Sequence, residues 1–117
     1  MKALIVDDEE DIGMMVSKFL AKEGLDVIYK SRIEAARKSI HSNDFKLCFL
    51  DLSLPDGTGF DLIDDIRQKS NDARIIVISA HDGAQEMERA QKMEVDLFIK
   101  KPFTKGQIIE AAQLMKH

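Results

Sequence analysis

The chain has 117 residues, enough for one domain whose hydrophobic core needs no disulfide bridge to be stable. Hydrophobic residues make up 44% of the sequence and charged residues 32%, a balance that excludes a disordered protein. The net charge of −4 argues against direct binding to nucleic acid or an anionic membrane, and no stretch approaches the roughly 18 apolar residues of a membrane span. We therefore expect residues 1–117 to form a single soluble domain in the cytoplasm.

Five short apolar segments, rich in β-branched residues, are spaced along the chain as strands. Three of them are almost entirely apolar, which is typical of strands covered by helices on both faces. The one cysteine, Cys48, lies in the third segment, where we expect a buried and unreactive side chain. The predicted strands cover residues 3–6, 27–29, 47–50, 75–78 and 97–99.

Amphipathic helical patterns lie between and after these strands. Gly24 ends the first helix, and Gly59 precedes the third. The apolar face of the fourth is thin, because it contains only alanine and methionine. The five faces are Ile12, Met15, Val16, Phe19 and Leu20; Ile33, Ala36 and Ile40; Leu62, Ile63 and Ile66; Ala84, Met87, Ala90 and Met93; and Ile108, Ala111, Ala112 and Met115.

Side chains that can cap helices precede three of these faces. A serine or threonine followed three residues later by glutamate or glutamine can satisfy two free backbone N–H groups reciprocally. The predicted caps are Ser31 with Glu34, Asp82 with Gln85, and Thr104 with Gln107.

Regular alternation of strand and helix predicts an α/β fold of the (βα)5 type. Right-handed crossovers leave few arrangements, and the doubly wound, flavodoxin-like parallel sheet with strand order 2-1-3-4-5 is a common one. In such sheets ligands bind at the carboxyl ends of the strands, near the switch point between strands 1 and 3. The residues that follow the strands therefore become the candidates for function.

Polar residues follow four of the five predicted strands. Asp7 and Asp8 end strand 1, Asp51 ends strand 3, Ser79 ends strand 4 and Lys101 follows strand 5. Each has a structural explanation when taken alone: acids before a helix complement its dipole, a serine suits a turn, and a lysine is usually solvated. Their joint occurrence at one predicted edge favours a functional site.

The charges of this cluster indicate a metal ion. Asp7, Asp8 and Asp51 bring about −3 and Lys101 about +1, and neighbouring carboxylates raise one another's pKa. Mg2+ prefers oxygen ligands and is held by one or two carboxylates together with phosphate oxygens. No Cys/His spacing suits zinc, and no EF-hand loop suits calcium. We therefore expect Mg2+.

An aspartate beside Mg2+, a hydroxyl and an ammonium group is suited to phosphoryl transfer. The carboxylate would attack phosphorus and form an acyl phosphate, while the cations and the hydroxyl meet the phosphoryl oxygens. Asp51 is the predicted nucleophile because it follows four apolar residues and should be partly desolvated. Asp56, in a Pro-Asp-Gly turn, and Asp61, in the first turn of a helix, are expected to be structural.

Four segments in this order resemble a response-regulator receiver domain, the partner of a histidine kinase in two-component signalling. The resemblance covers essentially the whole chain. The segments are L-I-V-D-D-E-E at 4–10, F-L-D-L-S-L-P-D-G-T-G at 49–59, V-I-S-A at 77–80 and F-I-K-K-P-F at 98–103.

The resemblance implies a role for each site residue. Asp51 corresponds to the phospho-accepting aspartate, and Asp7 and Asp8 to the acidic pair that binds Mg2+ with Asp51 and the backbone carbonyl of Ser53. Ser79 corresponds to the hydroxyl residue that bonds the phosphoryl group. Lys101 corresponds to the lysine that precedes a proline, and the peptide bond between the two is often cis in this family. An aromatic residue that switches position completes the set.

The switch aromatic is Phe98, which is implied to turn inward when Ser79 moves and so to remodel the face formed by helix 4, strand 5 and helix 5. Phe98 replaces the more frequent tyrosine, so no ring hydroxyl is present. The segment 93–96 stands where small residues are common. Ser53 and His81 occupy positions that tune dephosphorylation in this family.

Three other functions remain open from the residues. A haloacid-dehalogenase-type phosphatase would need an Asp-x-Asp motif, but Ser53 lies two residues after Asp51 and Leu54 two before Asp56. A flavin or nucleotide carrier should have a phosphate-binding first loop, but residues 7–11 are all acidic. A phosphorylation-independent binding module would not need the full set of site residues.

The resemblance also implies the partners. A histidine kinase or phosphotransfer protein would supply the phosphoryl group, and a downstream protein target or an output domain would read the signal. The chain is either a complete single-domain regulator or a fragment of a longer one.

Overall fold

Strands and helices alternate along the chain in a computed structural model that describes residues 1–80 and 83–113. Each predicted strand is present and extends by one or two residues at one or both ends. The elements are β1 (Lys2–Val6), α1 (Glu10–Lys22), β2 (Asp26–Lys30), α2 (Ile33–Ser42), β3 (Phe45–Asp51), α3 (Ile63–Lys69) after a 3-10 turn (Gly59–Leu62), β4 (Arg74–Ser79), α4 (Ala84–Lys92), β5 (Leu97–Lys100) and α5 (Lys105–Gln113). No described helix has the length and apolar character needed to cross a bilayer.

The five strands form one parallel sheet in the order β2-β1-β3-β4-β5, which confirms the predicted fold. Val6 pairs with Leu50, and Asp51 pairs with Ile78. Because the strands are parallel and in this register, the residues that end β1, β3 and β4 meet at one edge of the sheet.

Helices cover both faces of the sheet, and each face has its own apolar cluster. Successive side chains of β3 alternate between the two: Cys48 belongs to the cluster under α2, α3 and α4, and Phe49 to the cluster under α1 and α5. Cys48 is fully buried, as predicted, and burial raises the pKa of its thiol. The central strands are therefore apolar on both faces, which explains their continuous hydrophobic sequence.

The predicted cap of α2 is wrong. The helix begins at Ile33, and its N-cap residue, Arg32, makes no side-chain capping bond. Asp56, from the loop after β3, instead accepts hydrogen bonds from the N–H groups of Ile33 at 2.8 Å and Glu34 at 3.1 Å. Glu34 is thus the second helical residue and is too close to the start for a box with Ser31. Asp56 also lies in the predicted turn, which Leu54 and Gly57 close.

The cap of α5 is confirmed. Thr104 N–H donates to Gln107 Oε1 at 2.8 Å, and Gln107 N–H donates to Thr104 Oγ1 at 3.2 Å. The predicted cap of α4 cannot be placed in the same way, since Asp82 lies outside the described residues and Gly83 is the N-cap residue. His81 and Met115 also lie outside them.

Helix α4 has a thin apolar face, as predicted. Ala90 is its one buried residue, and Met87 is 45% exposed. Arg67 of α3 donates to the backbone carbonyls of Met93 and, at 2.6 Å, Glu94 just beyond the end of α4. Glu94 has a φ of 56°, a left-handed conformation that favours glycine, and the bond from Arg67 to its carbonyl helps to hold the chain in this turn.

On α1 the apolar face is narrower than predicted. Val16 and Leu20 are buried, but Met15 is 39% exposed. Gly24 has a φ of 89° after the last turn, which confirms that it ends this helix.

Candidate functional site

Three carboxylates gather at the ends of β1 and β3. Asp7 and Asp51 are buried, with 1% and 3% of their surface exposed, and Asp8 is exposed to solvent. One carboxylate oxygen from each of the three lies within 4.8 Å of the others. The pairing of Val6 with Leu50 brings the first and third strand ends side by side, as the strand order predicted.

Lys101 enters this cluster from the loop after β5. Its Nζ lies 3.0 Å from Asp7 Oδ2, 3.1 Å from Asp51 Oδ2 and 3.3 Å from Glu9 Oε1. The peptide bond between Lys101 and Pro102 is cis, as the resemblance implied, and the backbone N–H of Lys101 donates to the Ser79 carbonyl at 2.8 Å. The lysine next to the proline is therefore the one that the fold brings to the acids.

The pKa values of Asp7 and Lys101 are both shifted upward in this cluster. Burial, helped by the charge of Asp51, raises the pKa of Asp7 to about 6 against the opposing effects of the Glu9 N–H group and Lys101. Burial alone would lower the pKa of Lys101, but the close, negatively charged carboxylates of Asp7 and Asp51 outweigh it, so the net shift is upward. Lys101 stays charged, and one ammonium group serves several carboxylates.

Backbone groups hold the remaining carboxylate oxygens in place. Glu9 N–H donates to Asp7 Oδ1 at 2.8 Å, and Ser53 N–H donates to Asp51 Oδ1 at 3.1 Å. Each bond spans two residues and closes a small turn at the end of its strand. The second oxygen of each aspartate is thus the one that faces Lys101.

The cluster fits a divalent cation. Among the described side chains, Asp7 Oδ2 is buried without receiving a hydrogen bond, although Lys101 lies within ion-pair distance. A buried oxygen with spare acceptor capacity is costly unless a cation or another donor reaches it. An all-oxygen, net negative set that is open to solvent on the Asp8 side suits Mg2+ and its retained waters. Coordination by the carbonyl of Ser53 stays a prediction.

Ser79 directly follows Ile78, the residue of β4 that pairs with Asp51, and it is 1% exposed. A cavity of about 260 Å³ opens beside it, between the loop after β3 and α4. The Arg89 guanidinium lies 4.6 Å from the centre of the Phe60 ring at the side of this cavity. The cavity is lined by Leu52, Ser53, Thr58, Phe60, Ser79, Gln85, Glu86 and Arg89.

Phe98 is half-buried and packs against the apolar cluster under α2, α3 and α4.

Asp56 and Asp61, which follow β3 and were considered as alternative nucleophiles, have structural roles. Asp56 caps α2, and its pKa is lowered first by the backbone hydrogen bond from Ile33. Asp61 accepts from Thr58 N–H at 3.3 Å in the capping box of the 3-10 turn. Neither belongs to the group of acids that could share a cation.

Two residues of the site were not predicted from the sequence. Glu9 contacts Lys101, although an acidic run before a helix gives no sign of such a contact. Tyr29 donates from its hydroxyl to the Asp7 carbonyl at 2.6 Å. Burial raises the pKa of Tyr29, and the charges of Asp7, Glu10 and Asp8 raise it further, so the hydroxyl remains a donor. A glycine inside the first helix, Gly13, was the available signal.

A doubly wound parallel sheet in the order 2-1-3-4-5, with acids at the ends of strands 1 and 3 and a lysine after strand 5, belongs to the flavodoxin-like class of α/β domains. The model of the response regulator receiver domain family matches residues 3–113 of the chain. The chain therefore belongs to the response-regulator receiver domain family of two-component systems.

Curated relatives agree with this assignment. The chain is 34% identical over 109 residues to the response regulator protein PilR of Pseudomonas aeruginosa, covering 93% of this chain and 24% of PilR. It is 31% identical over 109 residues to the transcriptional regulatory protein CssR of Bacillus subtilis, covering 93% of this chain and 48% of CssR. The chain thus spans a quarter to a half of these relatives' length.

A solved structure shows the same fold. The non-phosphorylated HemR receiver domain from Leptospira biflexa superposes with a TM-score of 0.83 at 30% identity, covering 97% of this chain and 92% of that one.

Proposed function

We propose that the chain accepts a phosphoryl group onto Asp51 from the phosphohistidine of a histidine kinase or phosphotransfer protein, in a Mg2+-dependent reaction. The observation that carries this proposal is the position of the Lys101 ammonium group, 3.1 Å from the buried Asp51 carboxylate and 3.0 Å from Asp7. A lysine fixed between two buried acids has its charge where phosphoryl oxygens would arrive.

The reaction is a displacement at phosphorus. A carboxylate oxygen of Asp51 forms the new P–O bond, the P–N bond to the histidine breaks, and the imidazole nitrogen keeps that electron pair and is then protonated. Asp51 is 3% exposed, so most water is excluded from its carboxylate, and the Ser53 N–H group fixes the orientation of that carboxylate. The chain's contribution is therefore mainly positioning and electrostatics.

Asp7, Asp8, Asp51 and the carbonyl of Ser53 would hold Mg2+. When bound, the ion supplies positive charge that offsets the carboxylates and the phosphoryl oxygens. Lys101 acts as a point charge toward one phosphoryl oxygen, which suits an ammonium group. The Ser79 hydroxyl donates a hydrogen bond to another.

Phosphorylation would signal through the α4-β5-α5 face. It adds roughly −1 to −2 of charge beside Ser79 and draws its hydroxyl toward the phosphoryl group. Phe98 then turns inward, toward the space beside Ser79. Slow hydrolysis of the acyl phosphate returns the domain to its resting state, and a downstream target or an output domain reads the changed face.

Helix α4 is the element that we expect to repack. With one buried residue, Ala90, it has little apolar packing to hold it, and elements of low local stability are the ones that rearrange. Hydrogen exchange with and without beryllofluoride, a phosphoryl mimic, measures this. Equal protection of α4 in both states would count against repacking.

Mass spectrometry tests the acceptor. The wild-type chain, incubated with Mg2+ and acetyl phosphate, should gain one phosphoryl mass, and Asp51→Asn should gain none. Asp56→Asn and Asp61→Asn are matched controls, because each neutralises a nearby loop carboxylate outside the cluster. Both should be labelled like the wild type. A full gain in Asp51→Asn, or its loss in the controls, would refute the assignment.

A further inference from the structure

Residues of β2 bind both backbone groups of Asp7, its N–H and its carbonyl. Its N–H donates to the Lys30 carbonyl at 3.1 Å, and its carbonyl accepts from the Tyr29 hydroxyl at 2.6 Å. The first bond continues the parallel ladder by one residue, but the second is made by a side chain that reaches over the end of the sheet. The residue with the most deeply buried carboxylate of the cluster thus has its peptide groups fixed independently of its side chain.

The Tyr29 ring reaches this position by passing against α1 at Gly13. A Cβ atom at residue 13 would lie 2.2 Å from Tyr29 Cε1 and 2.6 Å from Cζ, far inside contact distance. Gly13 is buried within the helix, where glycine is less favourable than alanine. The glycine is therefore explained by the close approach of the ring, and the two residues act as a pair.

We propose that Tyr29 is a positioning residue for the metal site: its hydroxyl fixes the Asp7 peptide so that the acidic pair is presented to the cation, and Gly13 provides the space for its ring. This inference rests on the proposed function, because it assigns Tyr29 a part in Mg2+ binding. Asp8 is the next residue and is exposed. Because the Asp7 carbonyl and the Asp8 nitrogen share one planar peptide group, fixing that carbonyl also fixes the backbone from which the Asp8 side chain extends.

Loss of the hydroxyl should weaken Mg2+ binding without impairing the chemical step. Partners that orient metal ligands typically contribute 10–100-fold in affinity, but Tyr29 acts on a backbone carbonyl, one step further from the ion. The net value of one neutral hydrogen bond corresponds to about 5-fold. Asp51, Ser79 and Lys101 are untouched, so the labelling rate at saturating Mg2+ should stay unchanged.

The test is a MgCl2 titration of 15N-labelled protein followed by NMR at the amides of Glu9 and Ser53, together with acetyl phosphate labelling at increasing Mg2+. Tyr29→Phe should require about 5-fold more Mg2+ in both assays and reach the wild-type maximal rate. Ser17→Ala is the matched control, because it also removes a hydroxyl-to-carbonyl bond near Gly13, in this case the bond within α1 from Ser17 Oγ to the Gly13 carbonyl at 2.7 Å. It should leave the Mg2+ affinity unchanged.

The pairing with Gly13 gives a second test. Gly13→Ala should weaken Mg2+ binding in the wild-type background, since the added methyl group displaces the ring. In a Tyr29→Ala background the space is empty, and the same change should have no further effect. Equal Mg2+ affinity for Tyr29→Phe and the wild type would overturn this inference alone. A wild-type chain that binds no Mg2+ would instead overturn the proposed function and this inference with it.

Discussion

Neutralising Asp7 should stabilise the metal-free protein. A carboxyl group with a pKa of about 6 in the folded chain, against about 3.9 in an unfolded one, disfavours folding once it is ionised. The difference corresponds to about 3 kcal/mol at neutral pH as an upper limit. An asparagine in place of Asp7 would keep an acceptor for the Glu9 N–H group but lose the attraction to Lys101, so we expect Asp7→Asn to gain about 1–3 kcal/mol.

The pH dependence of this gain has a definite sign. Between about pH 4 and pH 6 the unfolded chain has already released the Asp7 proton while the folded chain retains it, so raising the pH favours unfolding through this group. The advantage of Asp7→Asn over the wild type should therefore be small near pH 4, grow through this window and be constant above it. Other titrating groups largely cancel in the difference between the two proteins.

Urea unfolding followed by circular dichroism, in EDTA and at constant ionic strength from pH 4 to 7.5, measures this difference. A gain for Asp7→Asn that is absent at pH 7, or that does not change with pH, would refute the reasoning. Added Mg2+ supplies a second comparison, because an ion that binds only the folded state stabilises it by mass action. Mg2+ should raise the stability of the wild type more than that of Asp7→Asn.

Substitutions also test three contacts at helix ends outside the site. Asp56→Ala should speed amide exchange at the start of α2 and lower stability at neutral pH, with a smaller loss in acid where the wild-type carboxyl becomes protonated; Ser31→Ala should do neither. Arg67→Ala should fray the end of α4 in hydrogen exchange, and Arg67→Lys should not restore it, since two carbonyls need the planar guanidinium. Thr104→Ala should lower the unfolding free energy by about 0.5–1 kcal/mol in urea denaturation, through the α5 cap.

The strands and their order could be predicted because their signals are local and repetitive. Segments such as 47–50 are apolar throughout, which is typical of a strand covered on both faces, and alternation with helices then restricts the topology. The site followed from the same argument. Asp7, Asp51 and Lys101 were expected together because parallel strands end at one edge of the sheet. In the structure the Lys101 Nζ lies 3.0 Å from Asp7 Oδ2 and 3.1 Å from Asp51 Oδ2.

Contacts between elements could not be predicted in this way. The Ser31 motif has the right spacing for a local cap, but Asp56 reaches the same N–H groups from 22 or more residues away. A distant carboxylate that already bonds these amides leaves nothing for a local cap to satisfy. Tyr29 and Gly13 fall in the same class, since neither residue has a distinctive pattern until the ring is placed against the helix.

The same electrostatics predict opposite effects for the two sides of the Asp7–Lys101 pair. Lys101 lies against two buried acids with its side chain 10% exposed, so Lys101→Met leaves both carboxylates without their main counter-charge. Removing one partner of a buried ion pair costs about 3 kcal/mol or more, so this variant should be destabilised while Asp7→Asn is stabilised. Its Mg2+ affinity should rise, because a competing cation is gone, and its labelling by acetyl phosphate should fall. Urea unfolding, the Mg2+ titration and acetyl phosphate labelling measure these three effects. A stable Lys101→Met that binds Mg2+ no better than the wild type would show that the lysine does not balance these acids.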